Sequence, residues 1–214
     1  EIGVDGFITL ENSRTSEDYY VFKDGYEVPR GYIHSIFVNT ANKIDVEFDK
    51  PFIFVANDTL REEDMEFLRE MIGKVCGNLR SSLVIVAKDY DSEIANFLKI
   101  NKSQNRQLNL VAIDYSLAKR THRESMEDFA TYLGATIYDK FNDSQPTNFE
   151  MGILGRAEKV IITEKNSKFI SGNGNKNEIQ ARIDLLEEQL TTLRQKDERM
   201  EMSDEIFNIQ KRIS

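Results

Sequence analysis

Asp58 and Asp89 each stand just past an apolar run, Phe52–Ala56 and Leu83–Ala87 respectively. Ligand sites of α/β folds gather at strand carboxyl ends, so these two carboxylates are the first candidates for acid–base or metal chemistry. Such work needs a converging basic residue and a pocket, and nothing in the spacing supplies either. Helix capping accounts for Asp58 equally well. His34, His122 and Cys76 follow no zinc-ligand spacing. Gly172-Asn173-Gly174 falls between an expected strand and an expected helix, where an anion could sit on a helix N-terminus. A tight glycine turn explains the same residues with fewer assumptions. Neither a phosphate-cradling G-x-x-x-x-G-K-[ST] loop nor a G-x-G-x-x-G fingerprint occurs. By elimination the chain reads as a binding domain with no catalytic, metal or cofactor residues of its own.

The totals narrow this further. With 28 basic against 37 acidic residues in a chain of 214, nucleic acid is a poor partner. The length allows one large or two small domains. Cys76, the single cysteine, sits at helical spacing with Ile72 and Val75 and reads as a small core residue of a reducing compartment. No run of 18 apolar residues and no signal peptide is present, so no membrane partner is expected and a cytoplasmic location is. The chain opens on Glu1 and stops inside a helical pattern at Ser214, which reads as a fragment of something longer.

The elements that would carry a site alternate between strands and helices. Lys43–Phe48 alternates apolar and polar residues, as a half-buried strand does, whereas Phe52–Ala56 and Leu83–Ala87 are continuous apolar runs. Thr59 and Glu62 have the spacing of a capping box. Met65, Leu68, Ile72, Val75 and Leu79 then share one helix face, with Phe67 and Met71 on the next ridge. A second helix follows Asp91 or Ser92, and a third spans Arg123–Leu133 up to Gly134. Strands are expected at Leu108–Ile113, Thr136–Tyr138, Lys159–Thr163 and Lys168–Ser171, with a turn at Leu154–Ala157. This order predicts an α/β domain with parallel pairing. Residues 1–22 read as hairpin or connecting strands. From Asn177 onward a pair of amphipathic helices, broken near 196–203, is expected.

Gly25–Asn39 resists this scheme. Gly25, Pro29 and Gly31 mark turns, and Tyr32, Ile33, Ile36, Phe37 and Val38 then crowd together without clean alternation. Either the loop tucks its aromatics into the core, or it leaves apolar groups on a surface, which usually marks a binding site.

Taken together, Arg30-Gly31-Tyr32-Ile33, Ile36-Phe37-Val38-Asn39, Pro51-Phe52-Ile53 and Leu83-Val84-Ile85-Val86-Ala87-x-Asp89 resemble the apical domain of the group I, GroEL-like chaperonins. The same order continues through Asp128-x-Ala130, Gly134-Ala135-Thr136, Leu154-Gly155-x-Ala157, Gly172-x-Gly174 and Ile179-Gln180-x-Arg182-Ile183. Gly3-x-x-Gly6-x-Ile8-Thr9-x-Glu11 is similar to the end of the preceding intermediate domain.

The resemblance implies a swivelling β/β/α apical-domain-like fold over 23–214, an intermediate-domain stretch over 1–22, and a C-terminal pair of amphipathic helices at 177–213. It implies an ATP-dependent chaperonin whose ATP, Mg and equatorial domain lie outside this chain, with other ring subunits as partners. The partners implied at an apolar groove are non-native polypeptides and, at the same place, a co-chaperonin. Carried over by position, the groove takes Tyr32, Ile36 and Phe37 from the segment and Ala95, Ile100 and Asn101 from the second helix. From the first helix it takes Ile72 and Val75, or Arg69 and Ile72 under a different gap placement. Lys99 stands where the family has an aliphatic residue, Ala95 is small, and Tyr115–Arg120 replaces a glycine-rich turn. The chain is thus a divergent member, and a viral source, with the host cytoplasm as location, would fit. The readings that compete are a small-molecule α/β enzyme using Asp58 and Asp89, and a scaffold dimerising through the tail helices.

Overall fold

The structure, a computed structural model, describes residues 25–41, 44–116, 122–140 and 149–196. The chain divides into two compact units, Asp24–Lys176 and a second formed by Glu1–Lys23 with Asn177–Ser214.

The first unit is built on two apolar runs that pair side by side. β3 (Phe52–Leu60) and β4 (Leu83–Tyr90) are parallel, and β5 (Leu110–Asp114) adds to β4 in the same sense. Val84, Ile85, Val111 and Ala112 are fully buried, as expected of parallel strands covered on both faces. The crossovers are helical: α1 (Met65–Ile72), which continues as a π-helical stretch over Gly73–Asn78, and α2 (Ser92–Gln104).

The other half of the sheet is antiparallel. β6 (Gly155–Ile162) pairs with β3, with β2 (Val46–Asp49) and with β7 (Ser167–Gly172), and β7 pairs with β1 (Gly25–Val28). β6 and β7 form a hairpin closed by Thr163, whose N–H donates to the Asn166 carbonyl at 2.7 Å. A connection that short cannot make a parallel crossover, so the expectation of parallel pairing holds for β3–β4–β5 alone.

Several expected elements shift. Gly25–Val28, read as a turn, is strand β1. Leu154–Ala157 is not a turn either, because Gly155 opens β6. A side chain at Gly155 would collide with the backbone and side chains of Leu133 and Ala135, and this close packing is what the glycine serves. Thr136–Tyr138 reduces to one bridge, Tyr138 with Ala56. Its N–H donates to Val55 O and its carbonyl accepts from Asn57 N–H, at 2.8 and 2.9 Å. Thr59 stays in β3, and the turn is closed instead by Asp64, whose Oδ2 accepts from Arg61 N–H at 2.7 Å while its own N–H donates to Arg61 O at 2.8 Å. α3 (His122–Leu133) ends as expected at Gly134, which takes the left-handed φ of +67°.

Of the second unit, α4 (Lys176–Lys196) is described. The expected strands at 1–22 and the second tail helix lie outside the described residues. Among the described residues no helix is long and apolar enough to cross a membrane.

Candidate functional site

The Gly31–Thr40 segment is held at three places. Tyr32 N–H donates to Thr163 O at 3.3 Å and Ile33 N–H to Ala112 O at 3.0 Å, which lays the segment along the open side of β5. Gly31 fits here because a Cβ would collide with the Thr163 carbonyl and the Glu164 backbone. His34 Nδ1 then accepts from Ile36 N–H at 3.1 Å, capping a single helical turn, Ser35–Phe37, that packs against α2 and β5. Beyond the turn, Asn39 and Thr40 bond to the backbone of the strand-forming stretch Asp45–Glu47.

This path corrects one expectation. Phe37 is fully buried and belongs to the core rather than to an exposed surface. The His34 cap starts a helical turn that directs the third residue inward, whereas Ile36 and Tyr32 remain partly exposed. Ile33 and Val38 are half-buried and pack against the core.

α2 carries the opposite surprise. Its inner face is Ile94, Leu98 and Lys102, of which the lysine is 5% exposed while Ile100, two residues earlier, is 54% exposed. Lys102 Nζ donates to Leu108 O at 2.6 Å and Arg106 O at 3.3 Å, so its stem packs inward while its charge is met by carbonyls of the loop that follows the helix. Burial lowers its pKa. Ala95 and Lys99, one turn apart, face a cavity of about 350 Å³ whose other walls include Tyr32, Asp89, Asp114 and Glu164. Burial, together with Glu164 and Asp45, raises the pKa of the Tyr32 hydroxyl. Asn101 Nδ2 is taken up by the Phe97 carbonyl at 2.8 Å, inside its own helix.

The α1 wall differs from what the residues suggested. Ile72 is 7% exposed and Val75 fully buried, because the helix turns its whole Leu68–Met71–Ile72–Val75 ridge into the core. Neither offers apolar surface. Of the two placements, the residue that does face α2 is Arg69, whose guanidinium lies 5.9 Å from the Phe97 ring and pairs with Glu66 at 2.8 Å. Leu79, assigned to the buried face, is 53% exposed beyond the end of the π-helical stretch.

Tyr32, Ala95 and Lys99 thus share one cavity, with Ile36 on the turn packed against α2 and Ile100 exposed on that helix. The spacing gave no sign of Phe97, Asp114 and Glu164. Asp89, placed by the pattern at a strand end, does reach the cavity, and Asp114 joins it from the end of β5. Asp58 does not line this cavity, and its Oδ2 accepts from Lys140 N–H at 2.9 Å. Among the described residues no group of three or more His, Cys, Asp or Glu converges on a metal-sized site. The side chains gathered here can bury apolar area and pair charges.

No protein-family model matches the chain. It is similar to a curated protein named Chaperonin GroEL 3 from Psychromonas ingrahamii, with 30% identity over 190 residues that make up 88% of this chain. The chain spans about a third of that relative's length, 34%. The mixed α/β sheet with its helices is compatible with a chaperonin apical-like domain, and the similarity supports a distant relationship to the GroEL-like chaperonins.

Proposed function

We propose that the Asp24–Lys176 unit is the polypeptide-capturing, apical-type domain of a chaperonin. On this reading it holds non-native chains on the surface formed by α2 and the Tyr32–Ile36 segment. The observation that carries it is the C-terminal part of α2, which exposes Ile100 and shelters Lys102. A helix serving only its own core would do the reverse. Such a surface captures unfolded segments by removing apolar area from water, at roughly 25 cal/mol per Å², and asks for no particular sequence. Tyr32, Ile36, Ala95 and Ile100 are the contact residues of this reading, with Lys99 and Asn101 as its polar members. Residues 1–22 are the end of an intermediate domain, and the 177–213 helices complete the apical domain. ATP and Mg binding, ring assembly, any co-chaperonin contact and a cytoplasmic location belong to the longer protein that this reading implies.

The test is binding of a fluorescently labelled, permanently unfolded protein such as reduced, carboxymethylated lactalbumin. Ile100→Glu and Ile36→Glu are each expected to weaken it about tenfold, the loss of roughly 1.5 kcal/mol of apolar contact, with unchanged thermal stability. Phe37→Glu does not serve, since it would place a carboxylate in the core. Unchanged binding in both surface variants sinks the proposal.

A further inference from the structure

Among the described residues β2 pairs with one strand, β6, and no strand pairs with its other edge. Alternation along the strand turns the backbone groups of Glu47 toward that edge, where unpaired groups need partners. The Asn39 carboxamide supplies both. Its Nδ2 donates to Glu47 O at 2.9 Å, and its Oδ1 accepts from Glu47 N–H at 2.9 Å. One step along, Thr40 Oγ1 donates to Asp45 O at 2.7 Å and accepts from Asp45 N–H at 3.3 Å. Thr40 N–H also donates to Asp45 O, at 3.4 Å, so one weak backbone bond and two consecutive side chains occupy the place of a paired strand among the described residues. Asparagine is suited to this because its amide carries a donor and an acceptor in one plane, as a peptide does.

Asn39 is also two residues past the buried Phe37 and closes the segment that presents Tyr32 and Ile36. At its other end the segment is held by backbone bonds from Tyr32 and Ile33. We propose that Asn39 is the positioning residue of the capture surface: by standing in for a strand on β2, it holds the Tyr32–Ile36 wall against α2. This rests on the capture reading above.

The test uses the full 214-residue chain and three measurements: hydrogen exchange, thermal stability, and binding of the labelled, carboxymethylated lactalbumin. Asn39→Ala is expected to speed exchange at the Glu47 amide and across 33–38, leaving β3, β4 and β5 amides unchanged. Binding should weaken about fivefold to tenfold, the scale of two lost hydrogen bonds. Asn39→Asp keeps the acceptor for Glu47 N–H and loses the donor, so it should fall between. Faster local exchange with unaltered binding overturns the proposal. So does a binding loss accompanied by faster exchange through β3–β5 and a lower melting temperature, because the role is then structural. Absence of binding by the unaltered chain overturns the capture reading, and this proposal with it.

Discussion

α1 and α2 make the same crossover, each leading from one parallel strand to the next, yet they treat their side chains in opposite ways. α1 sends Leu68, Met71 and Ile72 inward and keeps Glu66, Arg69 and Glu70 outside. α2 buries Ile94 and Leu98 but shelters Lys102 and leaves Ile100 in solvent. Their starts differ too. α1 comes after the Arg61–Asp64 turn, and Asp64, 3% exposed, accepts from Tyr138 Oη at 2.9 Å and pairs with Lys140 at 2.7 Å. Neither Asp64 nor Asp91 caps the helix it precedes with its side chain, but Asp64 is buried whereas Asp91 is exposed. One helix turns its apolar ridge wholly inward, and the other leaves Ile100 in solvent.

The sharpest way to break that contrast is to truncate one residue on each helix. Leu68→Ala should cost ~2–5 kcal/mol of stability, as large-to-small changes in a packed core do. Ile100→Ala should stay within ~0.5 kcal/mol, as exposed positions do. Denaturant melts of the two variants measure both, and equal losses would mean that Ile100 is core after all.

A smaller effect concerns Lys102. Its pKa is lowered by burial, so the folded chain releases the proton before the unfolded chain does. Between the lowered value and the ordinary lysine value near ~10.5, the unfolded state holds more protons, and stability therefore rises with pH through that alkaline window. Lys102→Met should flatten that rise. At neutral pH we expect a change within ~1.5 kcal/mol, since relief of the desolvated charge opposes the loss of the bonds to Arg106 O and Leu108 O. Melting temperatures from pH 7 to 10.5 in both chains test this.

The smallest effect links the two helices. Cys76, on the π-helical extension of α1, has its thiol pushed up to about 12 by burial, with Lys102 on α2 pulling the other way. Its Sγ also contacts Asn109 O at 3.6 Å. Alkylation at pH 8 should be slow compared with a free thiol, because the thiolate is the reacting form. Lys102→Met should slow it further, and a faster rate in that variant would show that the lysine does not sense the thiol.

Part of this is legible in the residue pattern. Phe52–Ala56 and Leu83–Ala87 read as buried strands because nothing polar interrupts them, and both lie within β3 and β4. α3 can be read from its spacing and its closing Gly134. Ala95 and Ile100 are placed on a helix by the pattern after Asp91, and only their role in a groove comes from the resemblance. The departures share a cause. Val75 and Ile72 lie at the spacing of an apolar face, and spacing says that a face is apolar without saying what covers it. Phe37 escapes the pattern because the His34 cap, a contact between neighbours, turns the chain and aims the ring inward. Arg69 and Phe97 meet across two helices, and no local period encodes that.

The chain alone therefore determines most of its elements, since strand and helix periods and end signals are local properties of the residues. Tertiary structure was needed to turn β6 and β7 into an antiparallel half-sheet, to bury Phe37, and to assign Lys102 to the interior and Ile100 to solvent. None of those outcomes is carried by residue periodicity: each depends on particular contacts, local or distant, where packing, hydrogen bonding and desolvation outweigh local preference.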